Sequence, residues 1–270
     1  MSNPMYRQIA EDLRDQIESG TLVPGQQLRT ELELQELYGA SRNTVRDAIK
    51  WLINLGLVET RPGQGTFVVP EIDPFVTTLT EDPESGLGGG EGTSYLSEVS
   101  DRNREPSVSP IQVEIQVATG EVAAGLWITT GTEVISRHLK RFIDGTPWSM
   151  QTSYYPMELV ARGAERLRSA RDIEEGTVRY LADALNIRQV GYRDWITVRA
   201  PNAKEADFFK LPADGRVAMY EIFRTAFDQD GQPVRLTVTV YAADRNQFII
   251  DVGRVPQAHS DREAGASQPD

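Results

Sequence analysis

Apolar residues recur at intervals of three or four positions through the first part of the chain. The first set is Tyr6, Ile9, Leu13 and Ile17. Charged residues separate its members, so the pattern predicts an amphipathic helix from Pro4 to Ser19, ended by Gly20.

Two further helices follow with recognisable start signals. Thr30 and Glu33 have the spacing of a capping box, which predicts a second helix that stops at Gly39. Ser41 is a suitable N-cap for a third helix over about residues 42–55, whose buried stripe is Val45, Ala48, Ile49 and Leu52. Two short β-prone runs, Leu57–Thr60 and Thr66–Val69, then flank the turn sequence RPGQG. Three helices and a hairpin predict a winged helix-turn-helix.

The remainder of the chain has a different pattern. The glycine-rich stretch EDPESGLGGGEG has no apolar periodicity and indicates a flexible connector. Beyond it, alternating runs such as IQVEIQV, EVISRHLKRFI, VAMYEIFRTAF and VRLTVTVYA predict an antiparallel sheet with intervening helices, an α+β domain. The predicted boundaries are residues 1–70 for the winged helix-turn-helix, 71–92 for the linker, 93–254 for the α+β domain and 255–270 for a disordered tail.

Composition excludes several classes of protein. The 270 residues include no cysteine and two histidines, so disulfides and thiolate metal sites are impossible, and we expect no metal and no cofactor. No apolar run approaches the ~18 residues of a membrane span, and the first twenty residues are charged, so we expect a cytoplasmic protein without a membrane partner.

A net charge of −12 by itself opposes nucleic-acid binding, but the distribution of charge matters more than the sum. Four basic residues face two acidic ones between Arg42 and Gly65. The polar side of the third helix would present Arg42, Asn43 and Arg46 to the major groove, where arginine can pair with guanine and asparagine with adenine. Such a charged helix face is, however, often merely solvated surface.

The residues LRTELELQELYGASRNTVRDAIKWLINLGLVETRPGQGTFV resemble the DNA-binding region of the GntR family of transcription regulators, and the likeness covers residues 4–69. Relatives usually read Pro-Ser-Glu-Arg where this chain has residues 29–32, so Leu32 replaces an arginine that usually contacts DNA. Either Arg29 compensates or the operator differs. The residues assigned to DNA binding are Arg29, Thr30, Ser41, Arg42, Asn43, Thr44, Arg46, Arg61, Gly63, Gln64, Gly65 and Thr66.

Residues 93–254 resemble the UTRA effector domain of the HutC branch through the landmarks TSYLSEV, REPSVSP, RFIDGTP, TSYYP, DGQPV and YAADRNQF. The resemblance implies a chorismate lyase-like fold that holds a small effector over its sheet. The residues it assigns to the effector are Thr93, Ser94, Arg141, Gln151, Thr177, Arg179, Arg235 and Tyr241. Arg141 lies on a predicted strand at the position of the arginine that binds the ligand's charged group in relatives, which favours an anionic ligand. Arg179 and Arg235 could instead pair with acidic residues on the sheet surface.

The sequence therefore predicts a regulator, with repression as the expected mode, that binds double-stranded palindromic DNA as a homodimer and leaves it when an effector binds. An alternative is a small-molecule enzyme that uses the lyase-like fold, although no nucleophile motif or metal set supports it. A third possibility is a dimerisation domain that binds no ligand.

Overall fold

A computed structural model describes residues 4–69, 74–78, 95, 99–100, 102–211 and 215–250. The chain divides into two compact units, residues 1–73 and 74–270. No helix in the described ranges combines the length and the apolar character needed to cross a bilayer.

The first unit contains three helices and one hairpin. The helices are α1 (Met5–Glu18), α2 (Glu31–Tyr38) and α3 (Arg42–Asn54), and the hairpin strands are β1 (Val58–Arg61) and β2 (Gly65–Val68). The buried core of this unit includes Ile9, Leu13, Leu34, Val45, Ala48, Leu52, Val58 and Val68. The predicted winged helix-turn-helix is confirmed.

Local chemistry explains where these helices begin and end. Thr30 and Glu33 form the predicted capping box at the start of α2, and Gly39 ends that helix in the left-handed conformation at φ 60°. Ser41 Oγ accepts a hydrogen bond from the Thr44 N–H at the start of α3. These signals are all local, which is why the sequence pattern sufficed to predict them.

The second unit mixes strands and short helices in the order β3 (Phe75–Thr78), β4 (Pro106–Val108), β5 (Gln112–Val117), α4 (Gly120–Leu126), β6 (Glu133–Ile143), β7 (Thr146–Pro156), α5 (Met157–Ala161), a 3-10 turn (Glu165–Arg168), α6 (Thr177–Leu185), β8 (Gln189–Arg199), α7 (Ala203–Phe209), β9 (Met219–Asp228), β10 (Pro233–Ala242) and β11 (Asn246–Ile249). This order confirms the predicted α+β class.

Within the described residues, seven of these strands form one antiparallel sheet. The strand order is β4-β6-β7-β10-β9-β8, and β5 also pairs with β6. Helices α5 and α6 cover one end of one face, where their core includes Ile135, Tyr155 and Ala226. Helix α4 packs on the opposite face against Val134 and Leu236. The sheet therefore carries helices on both sides.

The predicted flexible linker over residues 71–92 is wrong in one part. Phe75–Thr78 form strand β3, which pairs in parallel with β11. Phe75 and Thr77 are buried, and the Phe75 ring meets Trp148 edge-on at 5.9 Å. Burial of this aromatic and β-branched run outweighs the entropy of a free linker. Two other parts of the predicted linker, residues 71–73 and 79–92, lie outside the described residues. The predicted tail over residues 255–270 lies outside them as well.

Candidate functional site

The outer surface of α3 presents two arginines that share one acidic partner. Arg42 Nε lies 3.0 Å from a carboxylate oxygen of Glu31, and Arg46 Nε lies 2.9 Å from the other. Glu31 is the first residue of α2, so the contact joins the first turn of α2 to the first half of α3. We call Glu31, Arg42 and Arg46 the reading cluster.

The reading cluster remains accessible to a partner. The side chains of Arg42 and Arg46 are 64% and 49% exposed, and both contacts to Glu31 use Nε. The hydrogen bond from Arg46, followed by that from Arg42, holds the pKa of Glu31 below its ordinary value. Glu31 therefore stays ionised and orients two guanidinium groups whose terminal nitrogens have no hydrogen-bond partner among the described residues.

The hydroxyl residues assigned to DNA binding first serve as caps. Thr30 Oγ1 accepts from the Glu33 N–H, and Ser41 Oγ accepts from the Thr44 N–H, with the two hydroxyls of Ser41 and Thr44 2.8 Å apart. Arg29 and Asn43 are exposed beside these caps. The structure thus places polar groups at two neighbouring helix N-termini, where backbone N–H groups favour an anion such as phosphate.

The hairpin turn is anchored to the segment before α2. Gln27 Nε2 donates to the Gln64 carbonyl at 2.7 Å, and Leu28 N donates to the Thr66 carbonyl at 2.8 Å. Gly65 has φ 121°, a backbone conformation that residues with a Cβ rarely adopt, so this position favours glycine. A Cβ there would also lie 2.5 Å from Gln27 Nε2 and would displace the end of that side chain.

At the base of the turn, Arg61 pairs with Glu59 at 2.7 Å and lies over the Phe67 ring at 4.3 Å. The φ of 74° at Gly63 completes the turn. These contacts hold the hairpin in a defined shape, with glycine backbone exposed at its tip.

One face of the sheet in the second unit is unusually polar for a buried surface. Successive side chains of a strand point to opposite faces of the sheet, and residues paired across neighbouring strands point to the same face. Every second residue of β6, β7, β9 and β10 therefore shares this face. We call it the polar face, and its buried polar side chains are Arg137, Arg141, Ser149, Gln151, Ser153, Arg224, Arg235, Thr237 and Thr239.

Two of the assigned effector residues lie in one row across this face. Ser149 on β7 is opposite Arg141 on β6 and opposite Tyr241 on β10. Arg141 is 3% exposed, and its guanidinium lies 4.8 Å from the centre of the Tyr95 ring. Burial raises the pKa of Tyr95 to about 12, so its hydroxyl stays neutral and donates to the Phe142 carbonyl at 2.8 Å. The row offers a buried cation beside aromatic rings.

The next row contains a side-chain amide whose hydrogen bonding is incomplete. Gln151 lies opposite Leu139 and Thr239, and its Nε2 donates to Ser153 Oγ at 3.2 Å. Among the described residues, neither Gln151 Oε1 nor Ser149 Oγ has a hydrogen-bond partner, although both atoms are buried. Leaving such groups unpaired costs about 1–3 kcal/mol each, so a polar ligand here would recover that free energy.

The other assigned residues divide into two groups. Arg235 Nη1 approaches Thr177 Oγ1 at 3.4 Å, and Thr177 Oγ1 also accepts from the Tyr155 hydroxyl at 2.9 Å. This cluster lies on the polar face beside α6. Arg179, by contrast, is 77% exposed and its Nε is 3.8 Å from Asp183, which matches the surface-pairing alternative. Thr93 and Ser94 lie outside the described residues.

Sequence reasoning missed several residues on these surfaces. Arg137 is buried and donates to the carbonyls of Leu167, Ser169 and Arg171. Arg224 makes a buried two-point ion pair with Asp194. The period-two alternation that includes Arg141 on β6 could have indicated Arg137, but no sequence spacing marks Glu31 as the partner of Arg42 and Arg46.

Comparisons with protein families agree with the division into two units. A model described as bacterial regulatory proteins, gntR family, matches residues 5–68, and a UTRA domain model matches residues 101–247. Among the described residues, no group of three or more acidic or histidine side chains could hold a metal ion.

Individual relatives cover much of the chain. The HTH-type transcriptional repressor NagR of Bacillus subtilis is 28% identical over 91% of this chain and 93% of that protein. The mannosyl-D-glycerate transport/metabolism system repressor MngR of Escherichia coli is 31% identical over 58% of this chain and 60% of that protein.

Solved structures show the same fold. A GntR-family transcriptional regulator aligns with a TM-score of 0.63 at 24% identity, covering 94% of this chain and 99% of that one. PhnF from Mycobacterium smegmatis aligns with a TM-score of 0.54 at 23% identity, covering 91% and 99%.

Proposed function

Because the chain belongs to the GntR family of bacterial regulatory proteins and carries a UTRA domain, we propose that it is a repressor that a small anionic effector releases from DNA. The family assigns the chain to transcription regulation rather than to lyase chemistry. NagR and MngR are both named repressors, which supports repression here. The UTRA domain supports membership of the HutC branch, and a role at DNA supports a location in the cytoplasm.

The reading cluster is the observation that carries the DNA-binding part of the proposal. Helix α3 enters the major groove with Arg42 and Arg46, each oriented through Nε by Glu31. Their terminal nitrogens then meet guanine O6 and N7. The capped N-termini of α2 and α3 contact phosphates, and the glycine tip of the hairpin approaches the sugar-phosphate edge or the minor groove.

We propose that the effector binds on the polar face, and we call this proposed site the chamber. Arg141 holds the anionic group, Tyr241 packs beside it, and Gln151 and Ser149 complete the hydrogen bonding of the ligand. Arg235 and Thr177 form a second polar cluster on the same face. Thr93 and Ser94 belong to the same proposed site by family resemblance. A pure dimerisation domain would have no reason to keep unpaired polar atoms in this position.

We propose that the effector signal passes through β11. The ring of Tyr241 meets that of Phe248 at 5.1 Å, and Phe248 lies on β11, which pairs with β3. Strand β3 follows the hairpin in the chain. An effector that displaces Tyr241 would therefore perturb β11 and β3, and release from DNA follows if the effector binds the DNA-free state more tightly.

The proposed dimer uses strand β8, which ends the strand order of the sheet. Val190, Trp195 and Val198 of this strand are each at least 60% exposed. Exposed apolar side chains on an edge strand favour pairing with another strand, and a second copy would give the two-fold symmetry that a palindromic operator requires.

A gel-shift experiment tests the proposal. The purified protein is titrated onto the DNA upstream of its own gene at several salt concentrations, with an unrelated fragment as competitor. We expect a discrete complex that resists competition. Binding that is absent, or equal for the two fragments, would overturn the proposed function.

A further inference from the structure

Leu32 is a large apolar residue on the outside of α2. Its side chain is 65% exposed, whereas Leu34, two positions later, is 1% exposed in the core. Two positions correspond to about 200° around a helix, so Leu32 points away from the core of the unit. A single exposed leucine is common on protein surfaces, so the argument for a role of Leu32 depends on the residues next to it.

The residue before Leu32 belongs to the reading cluster. Glu31 contacts Arg42 and Arg46 at 3.0 and 2.9 Å, which ties the first turn of α2 to the part of α3 that reads bases in the proposed function. Leu32 is one position further along that same turn. It is therefore the exposed chain neighbour of a residue in the reading cluster.

The chemistry of leucine restricts what it can contact on DNA. It has no hydrogen-bonding group, so it cannot recognise a phosphate or the polar edge of a base. The thymine methyl is the apolar group that unmodified DNA presents in the major groove. Resting on the proposed function, we propose that Leu32 reads the 5-methyl group of a thymine in each half-site, next to the base pairs reached by Arg42 and Arg46.

Leu37 is a matched control on the same helix. It is 52% exposed, so truncating it removes a similar apolar surface. It lies five positions after Leu32, about 140° further around the helix and towards its other end. Leu37 is thus remote from the first turn of α2, and its truncation should not change base preference.

The experiment is binding-site selection from random double-stranded DNA with the wild type, Leu32→Ala and Leu37→Ala. We expect the wild type and Leu37→Ala to enrich the same motif, with a thymine that Leu32→Ala no longer selects. The selected site is then made with uracil at that thymine, which deletes only the methyl group. Uracil should weaken wild-type binding about fourfold, the change expected for burying one methyl group, and leave Leu32→Ala unaffected.

The outcomes separate the two hypotheses. An enriched motif that is identical for Leu32→Ala, or a wild type that does not distinguish uracil from thymine, overturns the role of Leu32 and leaves the proposed function intact. Failure of the wild type to enrich any motif overturns both. Loss of the same preference in Leu37→Ala also overturns the inference. Leu32→Met keeps an apolar side chain and should retain the thymine preference, and thermal melting verifies that each variant is folded.

Discussion

Arg46 donates its Nε hydrogen to both carboxylate oxygens of Glu31, at 2.9 and 3.1 Å. The two side chains are 49% and 35% exposed, so the ion pair adds little stability in water. Its effect is orientation, because it uses Nε and directs the terminal nitrogens of the guanidinium elsewhere. We therefore expect Glu31 to affect discrimination between DNA sites more than it affects the stability of the fold.

Replacing Glu31 with glutamine should reduce discrimination. The variant removes a negative charge beside two arginines, so binding to unrelated DNA rises while the ordered geometry is lost. We expect the difference in binding free energy between the operator and unrelated DNA to shrink by about 1 kcal/mol, the upper end of what an exposed ion pair contributes. Competition gel shifts measure the ratio. Glu36→Gln makes the same charge change on α2, and an equal effect there would contradict the orienting role.

The lowered pKa of Glu31 also predicts a pH dependence. A carboxyl group whose pKa is depressed by folding stabilises the protein above its unfolded pKa, ordinarily 4.5, and loses that contribution as the pH falls through the folded pKa. The difference in urea stability between the wild type and Glu31→Gln should be small at pH 7 and vanish at acidic pH. A difference that grows on acidification would contradict the assignment.

Arg46→Ala should weaken operator binding by about 1–3 kcal/mol and relax specificity at one base pair. Lys50→Ala is the control, since Lys50 lies on the same helix, is 73% exposed and pairs with Asp47 at 3.7 Å. Loss of a phosphate contact there would weaken binding to all sequences alike. Affinities for the operator and for single-base variants separate the two cases, and unchanged specificity in Arg46→Ala would count against the docking of α3.

The DNA-binding unit was predictable because its signals are local. Thr30 with Glu33 and Ser41 fix helix starts within one turn, and Gly39 fixes a helix end. The contacts that orient Arg42 and Arg46 were not predictable, because Glu31 is 11 and 15 positions away in sequence. Pairing across such separations depends on how helices pack, which residue patterns do not specify.

The error in the linker has the same origin. The five glycines in EDPESGLGGGEG indicate a connector, but they say nothing about Phe75–Thr78 just before that stretch. Strand β3 exists because β11, far away in sequence, supplies its hydrogen-bonding partner. In the sheet, alternation predicted β5, β6, β9 and β10 but not β7, the strand that carries Ser149 and Gln151. The unpaired atoms of these two residues became visible only once register placed β7 beside Arg141 on β6.

Arg141→Ala should leave operator binding unchanged and abolish the response to anions. Inorganic phosphate, glycerol 3-phosphate and citrate serve as first probes in a wider set of phosphorylated and carboxylated compounds. A compound at about 100 times its Kd should stabilise the wild type by about 3 kcal/mol, which corresponds to a Tm rise on the order of 10 °C, and should not shift the Tm of Arg141→Ala. Arg179→Ala is the exposed control. Equal shifts in Arg141→Ala and the wild type would remove Arg141 from the site.

Arg137 should matter for stability rather than for ligand. Its buried guanidinium donates to the carbonyls of Leu167, Ser169 and Arg171 at 3.0, 2.6 and 3.0 Å. Arg137→Met leaves these carbonyls without their donor and should destabilise the second unit by about 3 kcal/mol, whereas Arg179→Ala should stay within about 0.5 kcal/mol. Thermal and urea unfolding measure both variants. A melting curve for Arg137→Met that matches the wild type would contradict the assignment.

Phe248 tests whether the chamber communicates through β11. Its ring meets Tyr241 at 5.1 Å and Tyr220 at 5.3 Å, and edge-to-face pairs of this kind contribute about 0.5–1.5 kcal/mol each. Phe248→Ala should therefore retain binding of a compound found in the melting screen, and retain operator binding, while the compound loses most of its effect on operator affinity.

Ile249→Ala provides the comparison for Phe248→Ala, because Ile249 is the next residue of β11 and is 46% exposed on the other side of the strand. Operator affinity is measured with and without the compound in all three proteins. If Phe248→Ala responds like the wild type, the signal does not pass through this contact. If Ile249→Ala loses the response as well, the pairing of β11 with β3, rather than the aromatic contact, carries the coupling, because both substitutions weaken that strand.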